Sequence, residues 1–277
     1  MLSVVKRLIP SPAKQQIKKY LANRKKARLF GALAPLVPGV EDMFDGSHTL
    51  DDFKCVGQEF LKVYKEICGL QTDEKILDVG CGIGRMALPL TQYVNEGAVY
   101  EGIDTTKAGI DWCREKITPR FPNFHFQWID VYNKEYNPRG KYQASEYRFP
   151  FADESLSFVT LASVFTHMLP EGLENYLSEI YRVLKRGGRC LITYFLLNEE
   201  SLRLIEAGDS TLDFNHVFDQ YRTISREVPE KAVAFDEGWI RNLYRKLGLK
   251  VARLDYGSWC GRENYLSYQD LVLGVKE

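Results

Sequence analysis

Long apolar runs are missing from this sequence of 277 residues. Nothing in it approaches the roughly 20 consecutive apolar residues that cross a bilayer. The apolar and basic residues 1–10 are not followed by a small-residue cleavage site, so a secretory signal is not expected. Close cysteine pairs are missing too. Cys55, Cys68, Cys81, Cys113, Cys190 and Cys260 stand far apart with no C-x-x-C. That pattern argues against a zinc site and a disulfide framework, and suits free thiols in a cytoplasmic protein. No metal is expected. Repeats and low-complexity tracts are absent. Acidic residues are absent from the first 40 positions, which carry nine Lys and Arg. The whole chain balances at 37 bases and 37 acids, so the remainder is nine charges to the acidic side. A local basic arm is hidden inside a neutral total.

What is present is an alternation. Residues 1–49 read as an N-terminal arm. A helix is expected from Ser11-Pro12 through Arg28, ended by Pro35 and Pro38. Phe53, Val56, Phe60, Val63, Tyr64 and Ile67 recur at helical spacing, so residues 50–68 read as an amphipathic helix stopped at Gly69. Strands are then expected at 75–79, 99–103, 124–129, 156–162 and 190–196. Helices are expected at 85–94, 107–117 and 171–184. This rhythm implies a parallel sheet with helices on both faces. Residues 132–150 read as a polar and aromatic loop. Residues 198–232 show no clean strand, and a cap-like insertion over the site is expected at about 198–235. A helix at 237–246 and strands at 250–254 and 271–275 close the chain as an antiparallel, hairpin-like edge. The expected fold is α/β: a doubly wound, Rossmann-like, mostly parallel seven-stranded sheet with an antiparallel last strand, plus a helical arm.

The most informative segment is Ile76-Leu77-Asp78-Val79-Gly80-Cys81-Gly82-Ile83-Gly84-Arg85. A buried strand runs into three alternate glycines and then a helix. Glycine removes the Cβ atoms that keep a ligand from the backbone, and a helix start offers N–H groups. A dinucleotide site wants G-x-G-x-x-G, but its third glycine is replaced by Arg85. Asp78, two residues before the first glycine, would repel a pyrophosphate and suits a ligand with an ammonium group. An amino-acid-bearing nucleoside fits better than NAD.

The run Asp78-Val79-Gly80-Cys81-Gly82-Ile83-Gly84-Arg85 resembles the first motif of class I S-adenosylmethionine-dependent methyltransferases, of the bacterial type 11/12-like kind. The phrase SEIYRVLKRGGRCLITYF resembles the helix, turn and fifth strand of that family. The resemblance covers residues 50–197 and leaves the arm and the insertion unexplained. It implies S-adenosylmethionine as cofactor. Asp78, Gly80, Cys81, Gly82 and Gly84 match the turn at the methionine end, and Asp104 matches the acid that binds the ribose hydroxyls. Thr105 is expected over the ribose or adenine. Asp130, with Val131, matches the acid beside the adenine amino group, and Ser163 faces the methionine part. Ser157 stands where the family often has an Asp.

Methyl transfer needs alignment of acceptor and donor, exclusion of water, and removal of a proton from a hydroxyl acceptor. His167, just past the fourth strand, is the first candidate base, and His216 in the insertion is the second. An aromatic acceptor pocket is expected from Tyr136, Tyr142 and Tyr147, from Phe214, His216, Phe218 and Tyr221, and from residues 256–262, where Arg262 would hold an acid group. The acceptor is expected to be a small molecule or a glycan or lipid-linked group, methylated on oxygen. The basic arm also suits an anionic membrane surface. Nucleic-acid or protein methylation through the arm, and a non-catalytic partner platform, are the alternatives. Nucleic acid is not favoured, because the rest of the chain is acidic.

Overall fold

The computed structural model describes residues 11–44 and 46–277, with side chains from residue 19 onward apart from residue 45. The expectations for residues 1–10, and for the side chains of Lys14 and Lys18, lie outside the described residues.

Helix α1 (Ser11–Phe30) precedes α2 (Leu50–Glu66). Thr49 caps α2 by accepting from the Asp52 N–H, and Asp51 and Asp52 sit in its first turn, where the helix dipole favours acids. The alternating part then runs β1 (Lys75–Val79), α3 (Ala87–Leu90), β2 (Val99–Asp104), α4 (Lys107–Lys116), β3 (Phe124–Trp128), β4 (Leu156–Leu161), α5 (Pro170–Val183) and β5 (Leu184–Tyr194). Helix α3 is shorter than its apolar pattern suggests. Pro89 lies within it and has no N–H to give the carbonyl of Arg85, so only one turn is regular. The chain ends with α7 (Glu237–Leu247), β10 (Leu249–Asp255) and β11 (Asp270–Lys276).

The main sheet has the order β10-β11-β5-β4-β1-β2-β3. Strand β11 is antiparallel to both β5 and β10, and β1 to β5 are parallel. Successive side chains of a strand point to opposite faces, and here both faces are buried. Ile76, Tyr100, Phe124, Phe158 and Leu191 pack under α2, α3 and α4. Leu77, Val79, Val159, Leu161 and Ile192 pack under α5 and α7. Hydrophobic residues therefore fill consecutive positions, as buried parallel strands require.

The insertion is more ordered than expected. It holds β6 (Leu196–Leu197), α6 (Glu199–Ala207), β7 (His216–Val217), β8 (Tyr221–Thr223) and β9 (Val233–Asp236). The four strands form a second sheet, β6-β9-β8-β7. Strands of two to four residues are too short for alternation to be read. A separate core joins the insertion to the segment between β10 and β11. Phe195, Leu197, Leu204, Phe214, Trp259 and Cys260 pack together there. Asp270 ties the same region down. Its carboxylate accepts from the Leu196 and Gly257 N–H groups and the Trp259 indole, and pairs with Arg262.

The arm is not detached from the body. Leu36 and Val37 are buried with Leu50, Phe53, Ile83 and Leu88, and Leu29, Phe30 and Leu33 pack against them. Lys25 pairs with Asp51 at 2.5 Å, and the Lys26 ammonium donates to the Val37 carbonyl at 2.8 Å. Two of the arm's charges are thus spent within the chain. Among the described residues no helix is long and apolar enough to cross a membrane.

Candidate active site

A cavity of about 520 Å³ opens at the carboxyl ends of β1, β2, β3 and β4. It lies where the strand order reverses between β1 and β4, the usual ligand crevice of open α/β sheets. Gly80, Gly82, Asp104, Thr105, Val131, Tyr136, Ser163 and His167 all line it, so eight of the residues singled out in the sequence meet at one place.

The glycine turn works differently from the simplest expectation. The Gly80 and Cys81 N–H groups donate to the Ile103 carbonyl, at 2.8 and 3.1 Å. The Gly82 N–H donates to Asp104 Oδ2 at 2.8 Å. These donors are already used inside the protein, and what the turn offers a ligand is close approach. Gly80 has φ +77°, and a Cβ there would stand 2.3 Å from Val164 Cγ2. Only glycine fits that backbone. Asp104 is 8% exposed, and its Oδ1 accepts from the Thr106 N–H at 2.6 Å. Each carboxylate oxygen keeps a lone pair for a further donor, so a ligand diol fits. Burial pushes its pKa up, against the backbone N–H groups that lower it.

Asp78, Cys81, Gly84 and Asp130 stand behind the wall. Asp78 alternates with Leu77 and Val79, so its side chain shares the face of Ile76 and meets Tyr100. The Tyr100 hydroxyl donates to it at 2.6 Å. Burial raises the Asp78 carboxyl to about 7, although the Tyr100 hydrogen bond opposes this. Asp130 accepts from the Asn137 side chain at 3.3 Å.

Ser163 sits in the left-handed region at φ +61°, which a serine adopts only when its surroundings hold it there. Its N–H donates to Thr193 Oγ1 at 2.8 Å, and its hydroxyl donates to Gln269 Oε1 at 3.0 Å. The Thr193 hydroxyl donates to the same Gln269 oxygen at 2.6 Å. The turn after β4 is thereby fixed by Thr193 of β5 and by Gln269, the residue before β11.

His167 belongs to the short turn Phe165–His167. Its Nδ1 lies 2.8 Å from the Glu230 carbonyl oxygen. A carbonyl only accepts, so Nδ1 carries the proton, and the lone pair of the neutral ring sits on Nε2. Asn133 Nδ2 donates to the His167 carbonyl at 2.9 Å, and the Tyr136 ring meets the imidazole edge-on at 5.3 Å. Burial holds the imidazole below its ordinary pKa, with the Glu230 and Lys231 backbone opposing.

Several expectations fail. His216 lies on β7, the outer strand of the small sheet, and is not on the cavity wall. Phe214 is buried against Trp259, and Phe218 stacks on Tyr221 at 4.6 Å. Arg262 is no anion receptor. Its guanidinium is buried and pairs with Glu200 at 2.7 Å and Asp270 at 3.2 Å. Among the described residues of the insertion, only Glu230 reaches the wall. Other wall residues were not expected. Phe44 and Gly46 come from the arm itself, between α1 and α2, and Arg85 donates to Ser47 Oγ at 3.0 Å. Arg85 was read only as a break in a dinucleotide motif, and nothing in the spacing marked Glu230.

Residues 77–192 match the family model described as a methyltransferase domain. That segment is a class I S-adenosylmethionine-dependent methyltransferase domain. Over 143 residues the chain is 24% identical to tRNA N(3)-cytidine methyltransferase METTL2 of Gallus gallus, covering 49% of this chain and 34% of that protein. Over 152 residues it is 23% identical to 2-phytyl-1,4-naphtoquinone methyltransferase of Trichormus variabilis, covering 53% of this chain and 58% of that protein. The chain thus spans less than two thirds of either relative. The PH0226 protein from Pyrococcus horikoshii OT3 shares the fold, with a TM-score of 0.56 at 17% identity, over 86% of this chain and 96% of that one.

Proposed function

We propose that the methyltransferase domain at residues 77–192 acts with the rest of the chain to methylate a hydroxyl of a small-molecule or glycan acceptor, with His167 as the general base. The observation that carries this reading is the fixed tautomer of His167 on the same cavity wall as Gly80 and Asp104. When bound, S-adenosylmethionine supplies a methyl group already activated by its sulfonium charge. The Gly80 turn and Asp104 hold its amino-acid and ribose ends, and Thr105, Val131 and Ser163 complete the wall. The neutral imidazole takes the proton of the acceptor hydroxyl at Nε2 as its oxygen becomes the nucleophile. The Glu230 carbonyl stabilises the imidazolium that results. Calorimetry checks the first step: S-adenosylmethionine and S-adenosylhomocysteine should bind and NAD should not. Product release from a panel of hydroxylated compounds and glycans then tests the acceptor class. Activity confined to RNA or protein would replace it, and cofactor binding without turnover would favour a partner platform.

A second reading concerns α1, and its basis is exposed basic and apolar side chains together. Tyr20 is 61% exposed and Leu21 55% exposed, beside Lys19, Arg24 and Arg28. We infer that this helix rests on an anionic membrane surface, where each basic residue contributes about 1 kcal/mol. Removing residues 1–28 should lower flotation with phosphatidylglycerol vesicles and spare cofactor affinity. Removing residues 1–44 should also weaken the cofactor, because Phe44 lines the cavity and Leu36 and Val37 pack against Ile83. Equal flotation of the full chain and the shorter truncation excludes the membrane role.

A further inference from the structure

The cavity continues past the cofactor residues into a chamber of a different chemistry. Two carboxylates lie on this part of the wall, Glu171 from the start of α5 and Glu230 from the turn Pro229–Lys231. Tyr136 and Tyr176 also line it. Among the described residues no lysine lines the cavity, and its arginine, Arg85, follows the glycine turn at the cofactor end.

Glu230 is the unusual member. It is 8% exposed, and its Oε2 has no hydrogen-bond partner among the described residues. Leaving a buried carboxylate oxygen unsatisfied is costly, and folded proteins rarely do so without a reason. The carboxylate torsion is soft, so a small rotation presents either oxygen to the chamber. The main chain of the same residue already orients His167. One residue therefore fixes the ring nitrogen through its carbonyl and holds a carboxylate ready for a donor nearby.

We propose that this chamber is an acceptor subsite for a small ring compound bearing an ammonium group, with the ammonium held by Glu230. This assignment rests on the methyl-transfer reading above. Glu171, exposed at the mouth, adds a second negative charge that attracts a cation and repels carboxylates and phosphates. Tyr136, 40% exposed beside the His167 ring, supplies an aromatic surface of the kind that favours both stacking and a nearby cation.

The test uses the full chain saturated with S-adenosylhomocysteine, titrated calorimetrically with three matched probes. They are tyramine, its neutral N-acetyl derivative and the anion 4-hydroxyphenylacetate. Tyramine should bind roughly tenfold tighter than either of the others, as expected for one charge-assisted contact. Glu230→Gln should erase that preference without changing affinity for S-adenosylhomocysteine, and Glu230→Asp should restore part of it. Should Glu230→Gln melt below the assay temperature, Glu171→Gln should weaken tyramine and spare S-adenosylhomocysteine. Equal binding of the three probes, a preference for the anion, no probe binding, or a preference that survives these substitutions overturns the subsite. A chain that fails to bind S-adenosylhomocysteine in the first titration overturns the methyl-transfer reading itself, before any probe is added.

Discussion

Replacing His167 by alanine should lower turnover by roughly a hundredfold or more while leaving cofactor affinity nearly unchanged. The affinity is spared because Gly80 follows β1 and Asp104 ends β2, whereas His167 stands in the turn after β4. The pH profile is the sharper readout. Burial lowers the His167 pKa, so the imidazole is neutral at pH 7 and the rate should fall on the acid side, below the ordinary histidine value. That limb should vanish in the variant. Stability follows the same sign. Between the lowered folded value and the ordinary unfolded one, the unfolded chain binds the proton more readily, so stability drops as pH falls through that window. The variant should lack this contribution to acid sensitivity. A stable, fully active variant with an unchanged profile would remove His167 from the chemistry and leave alignment as the source of rate.

The second large effect belongs to Asp104. Asp104→Ala removes the acceptor for the Gly82 and Thr106 N–H groups, so it costs both a ligand contact and the clamp that joins the glycine turn to β2. Each charge-assisted hydrogen bond lost is worth about 1.5–3 kcal/mol, so S-adenosylhomocysteine affinity should fall by a factor on the order of ten to a hundred for each ligand contact. Asp104→Asn should do less damage to the turn, because an amide oxygen still accepts. Calorimetry on both variants separates the two losses. Alanine and asparagine weakening the ligand equally would mean that the clamp is unimportant, and unchanged affinity in both would remove Asp104 from the ligand.

The parts that could be read in the sequence are those where a local pattern carries a local constraint. Consecutive apolar residues at Ile76 and Leu77 announce a strand buried on both faces, and three alternate glycines announce a backbone without room for side chains. Asp104 and His167 were found because each closes or follows a strand whose end is set by topology. Direction was harder. Asp78 stands two residues from the first glycine, yet strand alternation turns it to the face of Ile76 and Tyr100, away from the cavity. Glu230 could not be found by pattern, since its partner His167 is 63 residues away and the contact is made by main chain. Arg262 was misjudged for the same reason. Its pairing with Glu200 and Asp270 depends on three segments meeting, and a lone arginine among aromatics looks like a receptor until its partners are known. The strands of the insertion were missed because runs of two to four residues do not establish a period.

The shared core of the insertion bears on how such a chain can be rebuilt. Residues 196–236 look like a self-contained cassette between β5 and α7, suited to exchange between relatives. Trp259 and Cys260 from the segment before β11 complete that core, and Asp270 holds the Leu196 backbone. A graft that carries the first segment alone would leave the Trp259 indole without its packing partners and the donor's own core open. Modular exchange here therefore has to move two distant stretches as one unit, and change in the insertion during descent is tied to change in a loop some 20 residues beyond its end.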